Sequence, residues 1–300
     1  MKKRSYDEVE MINKPSIKTG NPVLDRFLSS DGGFQLGNLI MLSGTSGAGK
    51  TTLCKTLQRD INEPTNFHAL ESLASSVKRQ TKRIEIKHGN AYITDADDYA
   101  DFDDFVKFLY EDKPLFVMVD SIQHAVKQLM SKGMGEKDAY YHVRKTLYDW
   151  KDATQGVVIL ICQLNKDGGF SGPSGLLFDC DAQIHLEFNP KTGERTMETF
   201  KNRMGELDKI YYEFTSDERV IAYYTEAEWE VMKKGATIAS MVQDTIEAYT
   251  QAFKNHANYK EFKKELVKEY NKIYNANQND GIAVVTQTIV VIDKLAKIYF

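Results

Sequence analysis

An octapeptide that begins at residue 44 has the residue types and spacing that bind nucleotide phosphates. It fits the pattern Gly-x-x-x-x-Gly-Lys-Ser/Thr at every position. The glycines let the chain curl so that successive backbone N–H groups point at phosphate oxygens, Lys50 adds a cation, and the Thr51 hydroxyl can ligate Mg²⁺. The predicted contact residues are Gly44, Thr45, Ser46, Gly47, Ala48, Gly49, Lys50, Thr51 and Thr52.

The segments on both sides of this phosphate loop are those that its chemistry needs. The apolar residues 39–42 predict a buried strand that enters the loop, and residues 51–60 predict a helix that leaves it. The positive end of such a helix faces the bound anion. This context favours a nucleoside triphosphate site over a glycine-rich surface turn.

Three polar residues follow apolar runs and are candidates for the chemistry. Asp120 closes a predicted strand, at the place where a nucleoside triphosphatase holds the metal shell. Glu71 follows the short strand 66–70 and is predicted to orient and deprotonate water, although an acid at a helix N-terminus is the alternative. Gln163 follows the run 157–162, where its amide could bind the γ-phosphate, and an ordinary loop glutamine is the alternative.

The elements that position these residues predict an α/β fold. Fully apolar runs that alternate with helices indicate a largely parallel sheet covered on both faces. Residues 72–83 are polar and predicted to be helical. Residues 182–188, 196–200 and 210–214 alternate apolar and polar side chains, as strands near a sheet edge do.

An acidic segment at residues 95–112 could be a metal-binding cluster or the solvated face of a helix. Phe102, Phe105, Val106 and Leu109 recur at the three- and four-residue spacing of a helix. Acidic residues are favourable in the first turn of a helix. The spacing therefore favours the helix.

Composition excludes several classes of protein. With 42% hydrophobic and 27% charged residues the chain is an ordinary globular one, and its net charge of −4 excludes a uniformly basic nucleic-acid binder. Three cysteines without a Cys-x-x-Cys pair exclude a four-cysteine zinc site. The longest apolar run, 157–162, is too short to cross a membrane, and residues 1–4 do not lead into a secretory signal. We expect a cytoplasmic protein with no membrane contact.

Several segments resemble the RecA-type ATPase core of the RadA/Sms proteins. They are Thr19–Leu28, Gly32–Phe34, Asp120–Gln123, Asn165–Gly168, Ser171–Pro173 and Lys201–Gly205. Cys162–Asn165 is more similar to the corresponding segment of DnaB-type replicative helicases. The resemblance covers about residues 17–222. It implies a RecA-like nucleoside triphosphatase with a phosphate loop.

The resemblance implies an ATP-driven ring, usually of six subunits, that encloses single-stranded DNA during recombination or replication. We therefore expect a DNA-stimulated ATPase that acts as a helicase or branch-migration protein. The cofactors are then ATP and Mg²⁺, and each site lies between two subunits. Lys201 and Arg203 would complete the neighbour's site, where an inserted arginine stabilises the charge of the transition state. Without the resemblance both would be interpreted as surface charges. The predicted catalytic residues are Glu71, Lys50, Gln163, Lys201 and Arg203.

Two glycine-rich loops are candidates for contact with DNA. The loop 131–138 contains Lys132 and Lys137, and the loop 166–175 contains Lys166 and one aromatic residue, Phe170. Flexible loops with a few lysines suit contact with the phosphate backbone and not base recognition. Mobile loops without a ligand are the alternative.

The predicted organisation is a polar lead-in at residues 1–18, a RecA-like core at 19–225 and a helical region at 226–300. The zinc finger and protease-like domain of RadA and the helical collar of DnaB have no counterpart, which suggests a short form encoded by a phage or mobile element and acting in its bacterial host's cytoplasm. For the helical region we favour packing, oligomerisation or a protein partner over DNA binding. Two rival functions are a filament-forming recombinase or mediator, and a KaiC-like or packaging-type ATPase switch that acts on a protein partner.

Overall fold

A computed structural model of the chain describes residues 16–80, 82–86, 89–164, 179–214, 221–233 and 257–276, together with parts of 287–299. The chain divides into two compact units, residues 1–225 and 226–300. Among the described helices, none is long and apolar enough to span a membrane.

The first unit is built on a large twisted sheet. In chain order its strands are β3 (Leu39–Gly44), β4 (Thr65–Ala69), β5 (Ala91–Asp95), β6 (Phe116–Asp120), β7 (Val157–Ile161), β8 (Ala182–Phe188), β9 (Arg195–Asn202), β10 (Lys209–Phe214) and β11 (Ile221–Tyr224). Their spatial order is β11-β10-β9-β8-β3-β7-β6-β4-β5. Two further strands, β1 (Ser16–Ile17) and β2 (Phe34–Gln35), pair antiparallel outside this sheet.

Strands β8, β3, β7, β6, β4 and β5 are mutually parallel, and β9, β10 and β11 extend the sheet antiparallel. The apolar runs of β3, β6 and β7 are buried along their whole lengths apart from Ser43, as expected for strands covered on both faces. The prediction of a largely parallel central sheet flanked by helices is therefore confirmed.

Helices cover both faces of this sheet. They are α1 (Pro22–Leu28), α2 (Lys50–Asp60), α3 (Ala74–Gln80), α4 (Phe102–Asp112), α5 (Ile122–Ser131) and α6 (Glu136–Thr154), and Lys82–Ile84 form a 3₁₀ turn. Successive side chains of a strand point to opposite faces. Leu42 of β3 packs in one core with Leu53 and Leu57 of α2, whereas Met41 packs in the opposite core with Leu147 of α6.

The strand register sets the two ends of the sheet. Gly44 at the end of β3 pairs with Leu186 of β8, and Asp120 at the end of β6 pairs with Ile161 of β7. Because these strands are parallel, the segments that follow them emerge at the same edge. Asn202, at the end of the antiparallel β9, pairs with Ala182 at the start of β8 and so lies at the opposite edge.

The acidic segment forms a capped helix, as its spacing predicts. The side chain of Asp101 accepts a hydrogen bond of 2.9 Å from the Asp104 N–H, and Asp103 lies with Asp104 in the first turn of α4. The four apolar residues at helical spacing are all buried. The N-cap stabilises the start of α4, and the buried apolar residues pack the helix against the sheet.

The structure corrects some boundaries. The predicted loop 131–138 ends early, because α6 begins at Glu136, so that Lys137 lies on a helix. Residues 16–17, assigned to the polar lead-in, form a strand. β5 and β11 were not predicted. Lys166 and Phe170 of the second predicted DNA loop lie outside the described residues.

The second unit contains the helix α7 (Tyr259–Ala276). Phe262 and Leu266 on α7 pack against Ile292, and all three side chains are buried. The described residues of 287–299 are helical. This small core agrees with the helical character that the sequence predicts for this part of the chain.

Candidate active site

The phosphate loop joins β3 directly to α2, and two of its glycines are required by their surroundings. Gly44 has φ of +154°, and a Cβ there would lie 2.2 Å from the carbonyl oxygen of Leu186. Gly49 has φ of +96°, and a Cβ there would lie 2.4 Å from the Phe214 ring. Gly49 is the N-cap of α2 and has no side chain to cap the first N–H groups. Those donors are therefore available to an anion.

Strand β8 and a tyrosine on β10 hold the loop in shape. The Thr45 N–H donates to the carbonyl of Leu186 at 3.0 Å, and the Thr45 hydroxyl accepts from the Phe188 N–H at 3.0 Å. Tyr212 donates its hydroxyl to the Ala48 carbonyl at 2.5 Å. Ser46 and Gly47 at the tip are exposed. The loop is thus fixed at its sides and open at its tip.

Lys50 lies folded over the loop. Its ammonium donates to the carbonyls of Gly44 at 2.8 Å and Thr45 at 3.1 Å. Burial lowers the pKa of Lys50, and the carboxylates of Asp120 and Glu71 act in the opposite direction. A phosphate oxygen would give this ammonium an anionic partner in place of two neutral carbonyls.

Thr51 and Asp120 provide a pair of hard oxygen ligands. The Thr51 hydroxyl donates to Oδ2 of Asp120 at 2.8 Å. Burial and, to a smaller extent, the nearby Glu71 carboxylate raise the pKa of Asp120 to about 6. A buried carboxylate beside a hydroxyl fits Mg²⁺, which prefers oxygen ligands and would neutralise the charge. Thr52, the next residue on α2, is half-buried.

Glu71 and Gln163, predicted separately from two strand ends, meet in the structure. The Gln163 amide donates to Oε1 of Glu71 at 2.5 Å. The two residues follow β4 and β7, which lie on either side of β6 and end at the same edge as Asp120. The side chain of Glu71 is 35% exposed, so its carboxylate is open to water.

Sequence analysis did not identify two residues of this cluster, Gln123 and His124. The Gln123 side chain exchanges two hydrogen bonds with the backbone of Gln163, at 3.2 and 3.1 Å. His124 Nδ1 lies 3.4 Å from Oε1 of Glu71. Both lie in the first turn of α5, just after Asp120. This position was the signal in the sequence, and Gln123 also ends a segment that resembles the RadA/Sms core.

Lys201 and Arg203 lie far from the phosphate loop of the chain. The backbone N–H of Arg203 donates to the carbonyl of Asp181 at 3.0 Å, five positions before Leu186 on the same segment. At about 3.3 Å per residue of β8, the contact of Arg203 with Asp181 and the contact of the phosphate loop with Leu186 are about 16 Å apart. β9 ends at Asn202, so that Lys201 lies on the strand and Arg203 lies just beyond its end.

A buried carboxylate holds Arg203. Nη1 of Arg203 lies 3.3 Å from Oδ1 of Asp181, while Oδ2 accepts the Leu39 N–H at 2.9 Å and lies 3.4 Å from Nζ of Lys151. The Arg203 side chain is 51% exposed. No periodic pattern along the chain points to Asp181, because its partner Leu39 is 142 residues away.

Of the predicted DNA contacts, two lie among the described residues. Lys132 caps the C-terminus of α5 and forms an ion pair with Asp101, the N-cap of α4. Lys137 is exposed in the first turn of α6. The two lysines are thus five residues apart, one at the end of a helix and one at the start of the next.

The chain matches an ATPase family model and resembles curated DNA repair proteins. Residues 17–228 match the family model described as "ATPase: KaiC". "DNA repair protein RadA" of Rickettsia typhi is 23% identical over 77% of this chain and 53% of its own length, and the Escherichia coli protein of that name is 26% identical over 70% and 45%. The chain therefore spans about half the length of these curated relatives.

A solved structure has a similar fold. The KaiC-like protein PH0186 from Pyrococcus horikoshii OT3 superimposes with a TM-score of 0.56 and 21% identity, over 70% of this chain and 99% of that one. The family model covers more than two thirds of the chain. The predicted resemblance to RecA-type ATPase cores is therefore confirmed. The chain belongs to the KaiC family of RecA-like ATPases.

Proposed function

We propose that the chain is an ATP-driven motor that moves along single-stranded DNA, with each ATP site completed by a neighbouring copy of the chain. The observation that supports this most is the position of Arg203. It is an exposed guanidinium held about 16 Å from its own phosphate loop. A cation there can reach a phosphate loop only on another subunit.

Within one site, the residues of the phosphate-loop edge divide the work of hydrolysis. Glu71 accepts a proton from water as the water oxygen attacks the γ-phosphorus, and the bond to the β,γ-bridging oxygen breaks to release ADP. Lys50 and the loop N–H groups hold the phosphate oxygens. Thr51 and Asp120 would hold Mg²⁺, which when bound neutralises charge on the β- and γ-phosphates.

The remaining residues respond to the γ-phosphate. Gln163 lies beside Glu71 and can exchange its hydrogen bond to that carboxylate for one to the γ-phosphate. Lys201 and Arg203 of the neighbouring subunit would stabilise the charge that spreads over the γ-phosphoryl oxygens in the transition state. Hydrolysis then depends on how two subunits meet, as a motor requires.

The DNA part of the proposal is supported by the relatives named DNA repair protein RadA and by the position of two lysines. α5 starts just after Asp120 and ends at Ser131, directly before Lys132, so that a single ten-residue helix joins the nucleotide site to the candidate DNA loop. Lys132 and Lys137 would contact phosphates, and Lys166 and Phe170 of the second loop would add one charge and one stacking surface.

A closed ring of six subunits is the assembly that we propose for this motor. A head-to-tail contact closes into a ring or grows into a filament according to the rotation between subunits. The second unit, residues 226–300, is proposed to pack against copies of itself or against a protein partner. On α7, Lys268 and Lys272 form ion pairs with Glu265 and Glu269, which offsets part of the positive charge of this helix.

ATP hydrolysis measured with and without single-stranded DNA tests the proposal, with Lys50→Ala as the inactive control. We expect DNA to stimulate hydrolysis several-fold. Lys132→Ala and Lys137→Ala should each reduce the steepness of the salt dependence of DNA binding, the slope of log affinity against log salt, by about 0.7. Lys145 lies about two turns further along α6, and Lys145→Ala should leave this slope unchanged. Hydrolysis that ignores DNA would reject the motor in favour of an ATPase switch that acts on a protein partner.

A further inference from the structure

The carboxylate of Glu71 is approached by two donors from different elements. The Gln163 amide donates to Oε1 at 2.5 Å, and Nδ1 of His124 lies 3.4 Å from the same oxygen. In the described part of the chain, Oε2 of Glu71 has no hydrogen-bond partner. One oxygen is therefore held while the other is left for a water molecule.

His124 is placed for this contact by the start of α5. It is the third residue of the helix, and its Nδ1 also lies 3.2 Å from the hydroxyl of the N-cap Ser121. A carboxylate can only accept hydrogen bonds, so that the contact with Glu71 is favourable when Nδ1 carries the hydrogen. The serine oxygen can accept from the same N–H and keeps the ring turned toward Glu71.

The turn that carries His124 is firmly attached to the rest of the site. Its neighbour Gln123 is buried and clamps the backbone of Gln163 with two hydrogen bonds. The same helical turn therefore fixes Gln163 through its backbone and Glu71 through a side chain. An ordinary ion pair between two mobile surface side chains lacks such an anchored partner and contributes little.

The two donors to Glu71 differ in what they can do during the reaction. In the proposed function Gln163 moves its amide to the γ-phosphate, and one amide N–H cannot serve both acceptors. Glu71 would then lose its shorter hydrogen bond just when it must point at water. His124 has no second role and remains in place.

We propose that His124 is a positioning residue that holds Oε1 of Glu71 and thereby aims Oε2 at the attacking water. The inference rests on the proposed role of Glu71 as the base. Without His124 the half-exposed Glu71 side chain would sample several rotamers, and misplacement of a catalytic group by about 1 Å lowers the rate roughly a hundredfold. We expect loss of kcat with little change in the KM for ATP.

Three variants of His124 test this in the full-length chain. His124→Leu should lower kcat roughly ten- to a hundredfold. His124→Asn should restore most of that loss, because its amide nitrogen occupies nearly the position of Nδ1, whereas the longer His124→Gln should restore less. The matched control is His142 on α6, whose Nε2 lies 2.6 Å from Oδ1 of Asp103. His142→Leu should leave kcat unchanged.

A double-mutant cycle with Glu71→Gln separates positioning from a general loss of structure. We expect His124→Leu to have no further effect on kcat in the Glu71→Gln background, because no base remains to be aimed. Equal effects in both backgrounds, or full activity of His124→Leu beside an inactive Glu71→Gln, would overturn the inference alone. Full activity of Glu71→Gln itself would overturn the assignment of the base, and the inference with it.

Discussion

Arg203 is tied to Asp181 at both the backbone and the side chain. Its N–H donates to the Asp181 carbonyl at 3.0 Å, and Nη1 lies 3.3 Å from Oδ1. The same carboxylate accepts the N–H of Leu39, the first residue of the strand that carries the phosphate loop at its other end. One buried aspartate thus fixes the start of β3 and the cation that we assign to the neighbouring subunit's site.

Asp181→Asn should lower the rate of ATP hydrolysis without weakening the binding of ATP. The amide can still accept the Leu39 N–H, but Arg203 and the buried Lys151 lose a countercharge. We expect kcat to fall several-fold with an unchanged KM for ATP, and the free energy of unfolding to fall by about 2–3 kcal/mol.

Asp152→Asn is the control for this prediction. Asp152 also contacts Lys151, at 3.0 Å, but its side chain is 58% exposed. Steady-state kinetics and urea unfolding of the two variants should therefore differ clearly. Similar kinetics in both would show that Asp181 does not orient Arg203.

Asp120→Asn should remove Mg²⁺-dependent hydrolysis and yet stabilise the Mg²⁺-free protein near neutral pH. The pKa of Asp120 is raised to about 6 in the folded chain, from 3.8, so that the folded state binds more protons than the unfolded state between these values. The wild-type free energy of unfolding therefore falls as pH rises through this window, and the asparagine variant escapes this loss.

Urea unfolding in EDTA at pH 5 and pH 7.5 measures this effect. We expect the variant to exceed the wild type by about 1–3 kcal/mol at pH 7.5, and by less at pH 5, where Asp120 is largely protonated. A variant that is less stable at both pH values would contradict the electrostatic account of Asp120.

Lys55 should make the free energy of unfolding depend on pH in the opposite direction from Asp120. It is fully buried one helical turn after Thr51, where Nζ donates to Gln58 at 2.9 Å and lies 3.6 Å from the centre of the Phe67 ring. Burial lowers its pKa to about 7, so that between pH 7 and 10.5 the unfolded chain binds the extra proton and stability rises with pH.

Lys55→Met should remove this dependence. The difference in free energy of unfolding between Lys55→Met and wild type should shift in favour of the wild type by about 2 kcal/mol from pH 7 to pH 9. Exposed Lys78 on α3 provides the control, and Lys78→Met should follow the wild-type profile. Parallel profiles for Lys55→Met and wild type would disprove a buried, readily deprotonated Lys55.

The parts of the fold with strong one-dimensional signals could be predicted, and the parts fixed by contacts between distant segments could not. β3, β6 and β7 are continuous apolar runs, and α4 has a clear helical period. β5 was missed because it is an edge strand whose side chains are mostly half-exposed or exposed, as at Tyr92, and which ends in the acidic segment. β11 has only four residues.

The residues of the candidate site also fall into a predictable group and an unpredictable one. Glu71 and Gln163 follow apolar strands, and parallel strands bring their ends to one edge, so that the sequence could place both near Asp120. Gln123 and His124 act through partners on other elements, and Asp181 pairs with a backbone group on a distant strand. No spacing along the chain encodes such contacts, which depend on the strand order.

The most direct test of shared sites is to mix two inactive variants, Lys50→Ala and Arg203→Ala, and to measure ATP hydrolysis. A Lys50→Ala subunit still offers Arg203, and an Arg203→Ala subunit still has an intact phosphate loop. With random assembly of equal amounts, about a quarter of the interfaces combine both intact halves, and we expect activity to return to about that fraction of wild type. Mixed assemblies that form, as pull-down of a tagged subunit would show, but remain inactive would contradict a site built by two subunits.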